Sequence, residues 1–162
     1  MAYQVYATVT AAKQGVFKGS VTQKGHEGKI RVTAISYGVV SPRDPASGLA
    51  TGKRVEQPVV FSLNWDSCSP QFFSAAYSNE NLATVLFEYF GADKTGLERL
   101  DHTVKLTNAS IAEIHEAYAA MTDTGTADGN DVQTVSLTFQ KIEITNTVGG
   151  ITAIDDWQRP NV

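Results

Sequence analysis

Hydrophobic and polar residues alternate along much of this chain with a period of two, the pattern of β-strands with one buried face. The strictest alternation lies in VVFSLNW, residues 59–65. The residues predicted to face the core there are Val59, Phe61, Leu63 and Trp65. Further strands are predicted at 28–38, 83–90, 102–111, 132–145 and 149–154. The pattern therefore predicts a mainly β protein.

Two of these strands carry more detailed expectations. In GKIRVTAISYG (28–38), alternation predicts that four residues share one face of the strand: Ile30, Val32, Ala34 and Ser36. In VQTVSLTFQKIEIT (132–145), Val135 and Leu137 differ in parity from Ile142 and Ile144. The change of parity predicts a bulge, or a strand that passes from one sheet to another at a barrel corner.

The segment WDSCSPQFFSAAYSN (65–79) interrupts the alternation and predicts one short α-helix at about 69–78. Ser69 is expected to cap the helix, and Pro70 suits its first position because a missing N–H costs nothing there. The predicted apolar face contains Phe72, Ala75 and Ala76. A helix of this length is marginal alone, so we expect it to pack on the flank of a barrel or sandwich of antiparallel strands.

Two other segments lack a clear strand pattern. Residues 39–58 are rich in Pro, Gly, Ser and charge, which predicts a long extended loop. In SIAEIHEAYAAM (110–121), Ser110 and Glu113 match a capping box, so local propensity predicts a helix there.

Composition excludes several function classes. The length of 162 residues suits a single domain (1–162). The 13 basic and 17 acidic residues give a net charge of −4, and this negative charge argues against nucleic-acid binding. No apolar run is long enough to span a bilayer, so no membrane insertion is expected. The first fifteen residues lack the segments of a secretory signal, so we expect a cytoplasmic location. Cys68 is the single cysteine, so it cannot form an internal disulfide.

Candidate chemistry is weak. The tripeptide DTG (123–125) has no second copy, as an aspartic protease needs, and DTGTADGND (123–131) departs from the spacing of a calcium loop. The three histidines are scattered, and no base is marked beside Cys68. We predict no catalytic site, no metal site and no cofactor, and an assembly protein instead.

Four ordered stretches show a resemblance that covers most of the chain. They are GVFKGSVTQKGHEGKIRVTAISYGV (15–39), TGKRVEQPVVFSL (51–63), WDSCSPQFFSAA (65–76) and VQTVSLTFQKIEI (132–144), and the most distinctive pattern comprises Asp66, Ser69, Pro70 and Phe72. The terminal DDW (155–157) also fits. With these features the chain resembles the Hcp family, the haemolysin-coregulated tube proteins of type VI secretion.

The resemblance implies a compact β-barrel of two sheets with one helix on its side, six copies of which close into a ring. Stacked rings would form a tube that is assembled in the cytoplasm and exported without a signal peptide. Its partners would be sheath, spike and baseplate proteins, and small effectors would travel in the pore.

At residue level, the resemblance makes the 30–36 face named above a candidate pore surface. Loop 39–58 becomes the segment that reaches the next ring, with Arg43, Asp44, Lys53 and Arg54 as candidate stacking residues. The resemblance also favours a strand that continues to about Ile114, and it leaves the structure of 115–121 open between helix and strand. Two rival hypotheses are a soluble ligand-binding barrel with a closed apolar pocket, and a tube protein of another phage-tail-like particle.

Overall fold

The computed structural model describes residues 3–118 and 132–157, which form eleven strands and one helix. The strands are β1 (Gln4–Ala11), β2 (Gly15–Val16), β3 (Ile30–Val32), β4 (Ala34–Ser36), β5 (Val39–Val40), β6 (Val55–Glu56), β7 (Val59–Leu63), β8 (Leu82–Ala92), β9 (Glu98–Ala117), β10 (Val132–Asn146) and β11 (Ile151–Asp156). The helix, α1, spans Ser69–Ser78. None of the described residues form a helix long and apolar enough to cross a membrane.

Every strand pairing among the described residues is antiparallel. The main sheet follows the order β2-β1-β8-β9-β10-β7-β4, with β11 attached to β10 and β3 attached to β1. Since β3 pairs with β1 at one end of this path and β4 pairs with β7 at the other, residues 30–36 connect both ends of the sheet. Such a connection is what a barrel requires. A second, two-stranded sheet consists of β5 and β6.

The core lies between the inner faces of the long strands and the helix. Val59, Phe61 and Leu63 are fully buried, as the alternation predicts. The expectation for Trp65 is wrong: its side chain is 50% exposed, because β7 ends at Leu63 and the alternation ends with it.

The predicted helix is confirmed, and its cap differs from the prediction. Cys68 is the N-cap residue and makes no side-chain cap hydrogen bond, while Ser69 is the first helical residue. The Ser69 hydroxyl accepts a hydrogen bond from the backbone N–H of Asp66 at 2.9 Å, so it fixes the preceding turn rather than the first turn of the helix. The C-terminus is capped by Asn79 in the left-handed conformation.

The predicted single face of residues 30–36 is wrong. Ile30 and Val32 are buried, whereas Ala34 and Ser36 are exposed and Ile35 packs against the core. Thr33 separates β3 from β4, and each half pairs with a different strand. The inward parity therefore shifts by one residue at this break.

The long strands resolve two open expectations. Strand β9 continues to Ala117 in register with Val132 of β10. The helix that propensity predicts at 110–121 is therefore wrong over residues 110–117, and the family resemblance is right for the strand up to Ile114. Residues 119–121 lie outside the described part of the chain. In β10, Leu137 and Ile142 are both buried despite their opposite parity, as predicted. Gln140 and Asn108 are left out of the ladder between β10 and β9, and Asn108 has a positive φ of 51°.

Candidate assembly surface

Residues 38–57 form a hairpin, which we call the arm. At its base β5 and β6 pair, and the backbone N–H of Gln57 donates to the carbonyl of Gly38 at 2.9 Å. Farther out, Arg43 and Ala50 form an isolated bridge. The loop predicted at 39–58 is thus a hairpin whose pairing holds it extended. Four of its large apolar side chains are exposed: Val39, Val40, Leu49 and Val55.

The tip of the arm is a turn organised by Asp44. Its carboxylate accepts hydrogen bonds from the backbone N–H of Ala46 and the hydroxyl of Ser47, both at 2.9 Å. These bonds, that from Ala46 first, lower the pKa of Asp44 below its usual value. Gly48 supplies the positive φ of 73° that closes the turn. The turn leaves Leu49, 68% exposed, at the outer end of the arm.

The root of the arm is fixed to β11 and the residue after it. The Arg54 guanidinium binds the Asp155 carboxylate through two nitrogens, with Nε 2.7 Å from Oδ2 and Nη2 in contact with Oδ1. Lys53 Nζ donates to the Trp157 carbonyl at 2.9 Å and lies 5.6 Å from the centroid of the Trp157 ring. A bidentate Arg–carboxylate pair sets orientation as well as distance, so these contacts define the direction of the arm.

A second carboxyl group joins this contact. Burial raises the pKa of Glu56 to about 7, and a hydrogen bond to Asp155 and the charge of that residue act in the same direction. The hydrogen bond from Arg54 lowers the pKa of Asp155 to about 2. Asp155 is therefore ionised against Arg54 at neutral pH, whereas Glu56 loses its proton near pH 7.

An open groove of about 580 Å³ lies between the arm and the inner side of β10 and β11. Its wall is mostly apolar and includes Val39, Ile142, Ile144 and Ile154, with Arg54, Glu56 and Asp155 contributing the polar part. The groove is open to solvent within one subunit, unlike the closed pocket expected of a ligand-binding barrel.

The four predicted stacking residues therefore have two different local roles. Lys53 and Arg54 contact Trp157 and Asp155 of their own subunit. Arg43 is exposed and Asp44 organises the turn at the outer half of the arm. Glu56, Asp155 and Trp157 were not predicted as site residues. The sequence gives little sign of them, because 101 positions separate Arg54 from Asp155, although the DDW triplet contains two of the three.

The four predicted pore residues are not brought together either. Ile30 and Val32 belong to the core of the subunit and cannot line a pore between subunits. Ala34 and Ser36 are exposed on β4, and a pore surface remains a prediction for these two.

The predicted motif at Asp66, Ser69, Pro70 and Phe72 attaches the helix to the sheet. The Asp66 carbonyl accepts from the Ser69 N–H at 2.9 Å, reciprocal to the bond that the Ser69 hydroxyl accepts. Pro70 occupies the first turn. Phe72 is fully buried, edge-on to Phe17 with 4.9 Å between ring centroids. The motif is structural and holds α1 against the core.

Catalytic chemistry finds no support in the described ranges. Cys68 is fully buried, and burial raises the pKa of its thiol to about 12, so the nucleophilic thiolate is scarce at neutral pH. Among residues 3–118 and 132–157, no group of three or more His, Cys, Asp or Glu side chains is placed to hold a metal ion. The DTG and calcium-loop segments lie outside these ranges.

Comparisons with known proteins agree over nearly the full chain. A family model described as "Type VI secretion system effector, Hcp" matches residues 6–145. The "Major exported protein" of Pseudomonas aeruginosa is 32% identical over 169 residues, covering 99% of this chain and 98% of the relative.

Solved structures are similar as well. The Hcp1 protein from E. coli has a TM-score of 0.83 at 28% identity, with 96% of this chain and 99% of that chain covered. The secreted protein Hcp3 from Pseudomonas aeruginosa has a TM-score of 0.78 at 25% identity, with 98% and 100% covered. A further structure, called Hcp protein, has the same fold, with a TM-score of 0.87 at 24% identity. The match covers 98% of this chain and 100% of that chain.

Proposed function

The chain belongs to the Hcp family of type VI secretion proteins, and we propose that it is a tube subunit whose six copies form a ring and whose rings stack through the arm. The observation that carries this proposal is the match of family and fold along nearly the whole chain. A relative named for its export supports an exported protein.

The shape of the subunit supports stacking through the arm. The hairpin exposes apolar residues at its base and, with Leu49, at its tip. Exposed apolar surface of this kind is typical of an interface, here with another copy of the chain. One patch that contacts a different patch on the next copy gives a head-to-tail interface, which can repeat along an axis. The family and this geometry together favour a tube over an isolated barrel.

Within the ring, Ala34 and Ser36 on β4 are the proposed pore surface. Small side chains leave room for a passenger, so small effector proteins are the proposed cargo. Sheath, spike and baseplate proteins of the secretion apparatus are the proposed partners during assembly in the cytoplasm and export. The role is non-enzymatic.

Export is tested in cells that carry the gene with and without a working contractile sheath. We expect the protein in the culture medium only when the sheath works, with a cytoplasmic marker protein retained in both strains. Equal amounts in the medium of both strains would contradict the proposal, because export would then not depend on contraction.

A further inference from the structure

We propose that a cavity beside Trp65 receives the tip of the arm from a second copy of this chain, so that Leu49 of one copy contacts the Trp65 ring of the next. Because the arm is the proposed stacking element, this contact rests on the proposed function. The two can fail separately, since rings could stack through the arm without using this cavity.

The tip of the arm and Trp65 lie at opposite ends of one antiparallel ladder. Strand β4 pairs with β7, and the same two chain segments stay paired in β5 and β6 and at the bridge between Arg43 and Ala50. The arm therefore extends this ladder beyond the first residue of β7, whereas Trp65 follows the last residue, Leu63. In a head-to-tail stack all copies point the same way, so the tip of one arm meets the far end of the next copy. The groove described above lies at the root of the arm and is at the wrong end for this contact.

The cavity at the Trp65 end has a volume of about 390 Å³ and offers an apolar surface with polar groups around it. Its described lining residues are Ser20, Arg31, Thr33, Asn64, Trp65 and Asp66. The Trp65 side chain is 50% exposed, and Leu49 at the tip is 68% exposed, so a contact between them removes both from water. Tryptophan and arginine are the residues that most often dominate the binding energy of an interface, and this cavity has one of each.

The charges of the tip and of the cavity are complementary. The cavity is lined by the exposed Arg31 and by the carboxylate of Asp66. The tip carries the exposed Arg43 next to Asp44, whose carboxylate is ionised at neutral pH because hydrogen bonds from Ala46 and Ser47 lower its pKa. Among the described residues, neither arginine forms an ion pair within its own subunit. Each arginine is thus available to a carboxylate of the neighbouring copy, which gives the contact its specificity.

Trp65→Ala should lower the number of particles longer than one ring at least tenfold by electron microscopy, while single rings persist. The side chain is half-exposed and lies beyond the end of β7, so we expect thermal unfolding close to that of the wild type. Tyr77→Ala, which removes a more exposed aromatic side chain from α1, is the matched control and should keep the stacks. Stacks of normal length from Trp65→Ala would overturn the inference. Loss of the rings themselves would also overturn it, because Trp65 would then belong to the contact within a ring.

Cross-linking tests the same contact with both anchor residues in place. Ala46 of the tip and Asn64 of the cavity wall are exposed, so A46C/N64C treated with a short bismaleimide should give covalent multimers of more than six copies on denaturing gels. The single variants A46C and N64C, and the wild type with its buried Cys68, should stay monomeric on the same gels.

The products of cross-linking separate the two proposals. A double variant that forms stacks and yields no more multimers than the single variants would overturn the inference alone. Multimers that end at six copies would place the contact within a ring and overturn it as well. A wild-type chain that forms no rings would contradict the proposed function, and this contact with it.

Discussion

Replacing Phe72 with alanine is expected to lower the free energy of unfolding by about 3–5 kcal/mol. The Phe72 ring is fully buried and contacts Phe17 and Phe61, with 4.9 and 5.9 Å between centroids. Its loss leaves a cavity between the helix and the sheet, and a ten-residue helix is not stable without that packing. Thermal unfolding at matched protein concentration should show a midpoint lower by roughly 10 °C.

Tyr77→Ala on the same helix is the matched control. The Tyr77 side chain is 84% exposed, so its removal should change stability by no more than about 0.5 kcal/mol. A Phe72→Ala variant as stable as the wild type would show that the helix is not anchored through this ring.

Shortening the arm should abolish ring stacking while leaving single rings intact. Residues 44–49 can be replaced by Asn-Gly, a two-residue turn that suits the flanking pair Arg43 and Ala50. The change removes Leu49 and the Asp44 turn, and keeps the root contacts of Lys53 and Arg54. By electron microscopy, particles longer than one ring should fall at least tenfold.

The control for the shortened arm is Val148→Ala, which truncates an exposed apolar residue in the β10–β11 turn. Stacks should persist in this variant. If the variant with the shortened arm forms stacks of normal length, the arm does not contribute to the contact between rings. If the variant no longer forms rings, the arm contributes to contacts within the ring.

Several elements could be predicted because local and tertiary preferences agree there. Strand β7 alternates strictly, α1 has a proline in its first turn, and the parity change in β10 is visible as a break in phase. Position 114 shows the opposite case. There the helix-favouring sequence is paired with β10, and the hydrogen bonds of that ladder outweigh local propensity.

The rest depends on partners that are remote in sequence. Thr33 carries no sign that β3 and β4 join opposite ends of the sheet, so the core role of Ile30 and Val32 was missed. The contact of Arg54 with Asp155 is likewise invisible until the chain is folded. Strand β1 is not among the predicted strands, although Ala7, Val9 and Ala11 alternate there and are buried.

The most direct test of the central claim is the mass of the purified chain in solution across a range of concentrations. Six copies of the 17.5 kDa subunit give a particle of about 105 kDa, which electron microscopy should show as a ring with an open centre. A species of 17.5 kDa that persists at the highest concentrations would contradict the account.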